Sequence, residues 1–130
     1  MSDIIGKTAS VTTTVTENNT ARAARSGSLD VFATPMMIAL MEQAACECLA
    51  NALTEGQTSV GTQANIVHTA ASPVGAKITA TAAVTGVDGR KIDFDVSASD
   101  GAGEIGKGTH SRFIVDAEKF MAKANSREAR

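Results

Sequence analysis

A single carboxylate stands where its neighbours argue against one. Glu42 lies inside the apolar run Pro35-Met-Met-Ile-Ala-Leu-Met-Glu-Gln-Ala-Ala-Cys46. An α-helix turns about 100° per residue, so Gln43, Glu47 and Asn51 share one polar stripe. Glu42 falls roughly 140° from the middle of that stripe, among Met, Ala, Leu and Cys. An ionised carboxylate is costly to bury without partners, so its chemistry is that of a general base or nucleophile. The competing reading is that it reaches solvent at the helix edge.

His68 is the second candidate. It shares a strand face with Ala64 and Ile66, the face expected to look at the helix, and a buried imidazole needs a hydrogen-bond partner. Glu42 is one candidate partner; alternatively the two flank a common substrate. His110 shares a face with Gly106, Gly108 and Arg112, and reads as structural or rim-lining. Neither histidine has a cysteine or another histidine at ligand spacing, so no metal site is expected.

Two phosphate-loop look-alikes fail on context. Gly101-Ala-Gly103-Glu-Ile-Gly106 matches a dinucleotide fingerprint, and Gly101 to Lys107 nearly matches a nucleotide-binding loop. Both need a helix N-terminus after the glycines, but here the chain runs into Thr109-His-Ser-Arg-Phe-Ile-Val115, a strand. Gly108 also stands where the magnesium-binding hydroxyl belongs. The glycines instead thin the strand so that something can approach its backbone.

The elements that must position these residues are legible. Residues 8–16 alternate and are β-branched, with Val11, Thr13 and Val15 on one face. Residues 17–30 form a long polar loop, of the kind that is often functional. Thr34-Pro35 opens a helix, the Thr hydroxyl serving as a cap, and the helix is expected to reach about Leu53. Strands are expected at 59–71, 76–87, 91–99 and 104–115, separated by turns that include Asp88-Gly89 and Asp100-Gly101. In the third of these, Ile92, Phe94, Val96 and Ala98 face in. The long helix is the one element apolar enough to cover that face, which predicts an α+β hot-dog fold: an antiparallel five-stranded sheet wrapped around one central helix. A short helix at 116–124 follows, and residues 125–130 are expected to fray.

Composition narrows the function. At 130 residues the chain reads as one domain, 1–130. With 12 basic and 14 acidic residues and no basic cluster, phosphate-driven nucleic-acid binding is not expected. Four Phe without Tyr or Trp offer little for base stacking. Glu42 and Glu47 interrupt the only candidate membrane span, and MSDIIGKTAS carries no secretory pattern. Cys46 and Cys48 point about 200° apart on a helix, cannot bridge, and read as core thiols of a reduced compartment, with the cytoplasm as default.

Three segments, Val31-Phe-Ala-Thr34…Leu40-Met-Glu42, Val60-Gly61-Thr62…Val67-His68-Thr-Ala-Ala-Ser-Pro73 and Glu104-Ile-Gly-Lys-Gly-Thr-His110-Ser-Arg112, agree in order and spacing with one known pattern. The chain from about Val31 to Lys123 resembles the fluoroacetyl-CoA thioesterase family of hot-dog proteins. That resemblance implies catalytic roles for Thr34, Glu42 and His68, an active-site glycine at Gly61, and a basic residue, Arg112, near the coenzyme A end. It also implies a homodimer with sites at the interface, an acyl-CoA substrate, and no cofactor beyond the coenzyme A of that substrate. There is one departure. The family's namesake has aromatic residues just ahead of Val-Phe-Ala-Thr, where this chain has Ala24-Arg-Ser-Gly-Ser-Leu-Asp30. A Ser/Gly-rich loop cannot form the same apolar lid, so the resemblance extends to acyl-thioester chemistry and not to fluoroacetyl selectivity.

Phe32, Met36, Met37, Ile38 and Met41 either line an adaptable acyl pocket or pack the core. Three other functions remain open on the residues alone: a hot-dog hydratase or dehydratase acting on acyl-CoA, a non-catalytic binder of acyl-CoA or another small ligand, and a structural protein.

Overall fold

The computed structural model describes residues 2–128. After a single 3-10 turn at Ser2–Ile4, the chain forms β1 (Thr8–Thr14), a one-turn helix α1 (Ala21–Ala24) and the long helix α2 (Thr34–Leu49). Four strands follow, β2 (Gln57–His68), β3 (Lys77–Asp88), β4 (Lys91–Asp100) and β5 (Gly103–Asp116), and then α3 (Ala117–Glu128). The strands make one antiparallel sheet in the order β1-β3-β4-β5-β2, curled around α2. This is the expected hot-dog architecture.

Alternation on the strands builds the core. Ile78, Ala80, Ala82 and Val84 of β3 and Ile92, Phe94, Val96 and Ala98 of β4 all face inward and are buried. They meet Met37, Met41, Ala44, Ala45, Cys48 and Leu49 of α2. Alanines on both sides let the helix lie close to the sheet, while Phe94 fills the wider space; burying such a side chain contributes about 1.5–3 kcal/mol. Met37 and Met41 therefore belong to the core and not to a pocket, whereas Met36 is exposed.

Both Asp-Gly sites make tight hairpins, with Asp88 paired to Lys91 and Asp100 paired to Gly103. Asp100 also ties its turn together. One carboxylate oxygen accepts from the backbone N–H groups of Ala102 and Gly103, and the other from the buried Ser72 hydroxyl at 2.7 Å. The Ser72 bond, followed by that of Ala102, holds this carboxyl below its usual pKa.

Several boundaries differ from expectation. Helix α2 stops at Leu49 because the chain turns toward β2 through Thr54–Gln57, where Gln57 accepts from the Thr54 N–H at 3.0 Å and Gly56 adopts φ +83°. Strand β2 begins two residues early and ends at His68, three short of the expected Ala71. Helix α3 runs to Glu128, so residues 125–128 are helical; residues 129–130 lie outside those described. Cys48 is buried but Cys46 is exposed, which corrects the reading of both as core thiols. Among the described residues no helix is long and apolar enough to cross a membrane.

The strand glycines serve close approach. A side chain at Gly108 would collide with the Asn65 carbonyl of β2, and one at Gly106 would meet Met37 and the Val67 carbonyl at 2.7 Å. The β5–β2 ladder and the seating of α2 depend on their bareness.

Candidate active site

Two groups of side chains flank the N-terminal half of α2. The first begins at the helix start. The N-cap is Ala33, which offers no side-chain cap, and Thr34 is the first helical residue, followed by Pro35. The Thr34 hydroxyl is thus not spent on capping; it lies 2.7 Å from Nδ1 of His68 at the end of β2. The other ring nitrogen of His68, Nε2, is buried and has no protein partner among the described residues. A buried polar atom in that state carries a desolvation cost that a ligand or water can remove. A cavity of about 280 Å³ opens beside this pair. Phe32, Val31, Ala70 and Ala71 form part of its wall, and the 17–30 loop contributes Ala21 and Ser26. The loop holds its shape through the Thr20 side chain, which caps α1, and through Arg25, which closes α1 in a left-handed conformation at φ 59°.

The second group surrounds Glu42. Its Oε2 accepts from Nη1 of Arg112 at 3.2 Å. Arg112 also donates from Nε to the Ser59 hydroxyl at 2.8 Å and from Nη2 to the Ser59 carbonyl at 3.1 Å. His110 lies behind Arg112, its Nε2 3.2 Å from the same Nη1 and 4.0 Å from Glu42. The His110 Nδ1 is 2.8 Å from the Gln63 carbonyl, and its ring stacks on Phe94 with centroids 5.9 Å apart. Gly61 sits over the carboxylate, and any Cβ there would strike Glu42 Oε2. A break in the β2–β5 register between Gly61 and Gln63 adjusts this stretch of strand.

These contacts bear on four of the sequence readings. Glu42 follows the competing reading, that it reaches solvent at the helix edge: its side chain is 41% exposed in this chain, and it rests on a buried cation. Glu42 and His68 are not partners, since His68 pairs with Thr34. Arg112 is buried, and its guanidinium is engaged by Ser59 and Glu42. His110, read as structural or rim-lining, is only 3% exposed and lies within contact range of the Glu42–Arg112 pair. The signal that could have found it was its position two residues from Arg112 on the same strand face. Thr34 and Glu42 stand eight positions apart on α2, about 12 Å along the axis, so the two groups are distinct within one chain.

Comparison with known proteins follows the same lines. Residues 15–118 match the model of the fluoroacetyl-CoA-specific thioesterase family. A fluoroacetyl-CoA thioesterase of Streptantibioticus cattleyicolor is 45% identical over 98 residues, 75% of this chain and 70% of that protein. The structure of the fluoroacetyl-CoA thioesterase FlK is similar with a TM-score of 0.91 at 37% identity, covering 95% of this chain and 96% of that one. A thioesterase superfamily member from Thermus thermophilus is similar with a TM-score of 0.86 at 27% identity, covering 94% and 90% of the two chains.

Burial holds the His110 imidazole below its ordinary pKa of 6.5; the Gln63 hydrogen bond opposes this, the Arg112 charge adds to it, and the Glu42 charge opposes it. The unfolded chain therefore binds a proton here more readily than the folded one, and stability is lost as pH falls below about 6.5. Urea unfolding at about pH 7.5 and about pH 5.5 should show a larger loss for the native protein than for His110→Gln. Equal losses would refute this account of His110.

Proposed function

This chain belongs to the fluoroacetyl-CoA-specific thioesterase family, and from that membership we propose that it hydrolyses a short-to-medium acyl-CoA to the free acid and coenzyme A using Thr34, Glu42 and His68. In the reaction water oxygen bonds to the carbonyl carbon, the carbon–sulfur bond breaks, and the coenzyme A thiolate takes up a proton. The observation that carries the reading is the 2.7 Å pair between Thr34 Oγ1 and His68 Nδ1 beside the cavity, with the second nitrogen of His68 still unpaired. A thioester carbonyl or attacking water supplies the missing partner, and the hydroxyl and imidazole move the proton. Glu42, aimed by Arg112, acts as base on water or as the attacking group itself. Backbone N–H groups at the start of α2 favour the developing oxyanion. This chemistry requires no metal or redox cofactor. The exposed free thiol of Cys46 suits a reducing compartment, which supports a cytoplasmic setting.

Thiol release from acyl-CoA tests the function, and loss of enoyl absorbance without thiol release would point instead to a hydratase. Glu42→Gln retains an oxygen that can accept from Arg112 but removes charge and basicity. Turnover should fall by at least about two orders of magnitude with the fold retained. His68→Ala should likewise lose most turnover. Near-normal turnover in Glu42→Gln alongside an inactive Glu47→Gln would identify a different carboxylate.

The two groups come together in a homodimer. Strand β2 is a twelve-residue edge strand, open on the side away from β5. Pairing with β2 of a second copy would cover that edge. With the two-fold axis near Ala64 and Asn65, Gly61 and the adjoining Glu42 would face the partner subunit's His68. Light scattering should report a dimer at micromolar protein; a fully active monomer would sink the arrangement.

The cavity wall sets the acyl preference. Phe32 is part of it, but the 17–30 loop brings Ala21 and Ser26 and has no aromatic residue of its own. Small residues cannot grip two carbons and one fluorine on all sides. The ratio of kcat/KM for fluoroacetyl-CoA over acetyl-CoA should therefore stay close to the ratio of their intrinsic hydrolysis rates. A preference far beyond it would refute the loop's role.

A further inference from the structure

We propose that His110 is a positioning residue for Glu42, acting through Arg112 from a single fixed tautomer. Donor and acceptor chemistry fixes the tautomer. A backbone carbonyl only accepts, so the 2.8 Å contact with the Gln63 oxygen requires a proton on Nδ1. A guanidinium only donates, so the 3.2 Å contact with Arg112 Nη1 requires a bare lone pair on Nε2. Both conditions hold only for the neutral Nδ1–H form. A proton on Nε2 would set two donors against each other, and if Nδ1 kept its own proton it would also place a second cation beside the guanidinium.

The consequence reaches Glu42. Arg112 is held on its far side by Ser59 through Nε and Nη2. That leaves Nη1 to be divided between His110 Nε2 and Glu42 Oε2, each at 3.2 Å. The imidazole is itself immobile: Phe94 stacks on it, Gln63 anchors it, and it is almost wholly buried. The guanidinium head is thereby held on two sides, and the half-exposed carboxylate above it takes a single direction. Gly61 leaves the space that this direction requires.

The inference rests on Glu42 being the catalytic carboxylate, and its tests separate the two ideas. In protein labelled with ¹⁵N-histidine, one imidazole should show a protonated Nδ1 and an unprotonated Nε2 across neutral pH, and that signal should vanish in His110→Gln. Finding His110 as the Nε2–H form overturns the proposal whatever the enzyme's activity. His110→Phe preserves the ring stack but removes the acceptor, and kcat should fall by roughly 10- to 100-fold while KM stays within about twofold. His110→Gln, which offers an amide oxygen near the place of Nε2, should recover much of that loss. Equal defects in the two variants, or a defect confined to KM, would overturn the positioning role. Unchanged turnover in Glu42→Gln would instead overturn the proposed function and leave the tautomer result standing.

Discussion

A guanidinium cannot escape burial by giving up its proton, and this constraint organises the middle of the molecule. Arg112 points inward from β5 and is 6% exposed. Its charge must be met where it stands, because leaving one partner of a buried pair unmatched is strongly destabilising. Ser59 supplies two acceptors from the neighbouring edge strand, Glu42 supplies the countercharge from the helix, and His110 supplies a neutral lone pair. Gly61 follows from the same requirement, since the carboxylate reaches the cation through space that a side chain would fill. A carboxylate in the apolar stretch of α2 is thus explained by a cation seventy residues further along the chain.

Local pattern was enough for the frame of this fold. The alternation Ile92, Phe94, Val96, Ala98 and the two Asp-Gly hairpins are nearest-neighbour signals that lie where the pattern indicates, and the Thr34-Pro35 helix start lies within one residue of it. What required long-range pairing was less legible. The sequence marks Glu42 as anomalous but cannot say that Arg112 meets it, and so leaves open both an apolar setting and a solvent-facing one without finding the ion pair. The Thr34 hydroxyl reads as a cap because Thr before Pro is a cap signal; the helix instead starts one residue earlier, which frees the hydroxyl for His68. Cys46 and the methionines show the limit of helical periodicity alone: it separates faces but does not say which ones the sheet will cover.

Glu42 and His68 stand out by residue type and pattern, whereas Thr34 as a catalytic residue and Gly61 stand out only through family resemblance, because a glycine or a threonine carries little chemical signature by itself. His110 lies within a segment that carries the resemblance, but the resemblance implies no role for it. Its residue type is informative, yet a histidine on a strand with glycines for neighbours looks incidental until the β2 backbone supplies Gln63 and the helix supplies Glu42.

Helix α2 also works as a ruler. It carries Thr34 and Glu42 on one rigid rod, two turns and a fraction apart, with its far side sunk into the sheet. Inserting one residue between them would swing the carboxylate by about 100° and move it about 1.5 Å along the axis, away from Arg112 and onto the exposed face that Gln43 now holds. No rotamer change could restore the match. The 17–30 segment is under no such rule: it meets the cavity through Ala21 and Ser26 and can lengthen, shorten or change its side chains without altering that spacing. In a lineage built on this scaffold, the distance between the two polar groups is inherited with the helix, while the shape of what is admitted is free to drift with the loop.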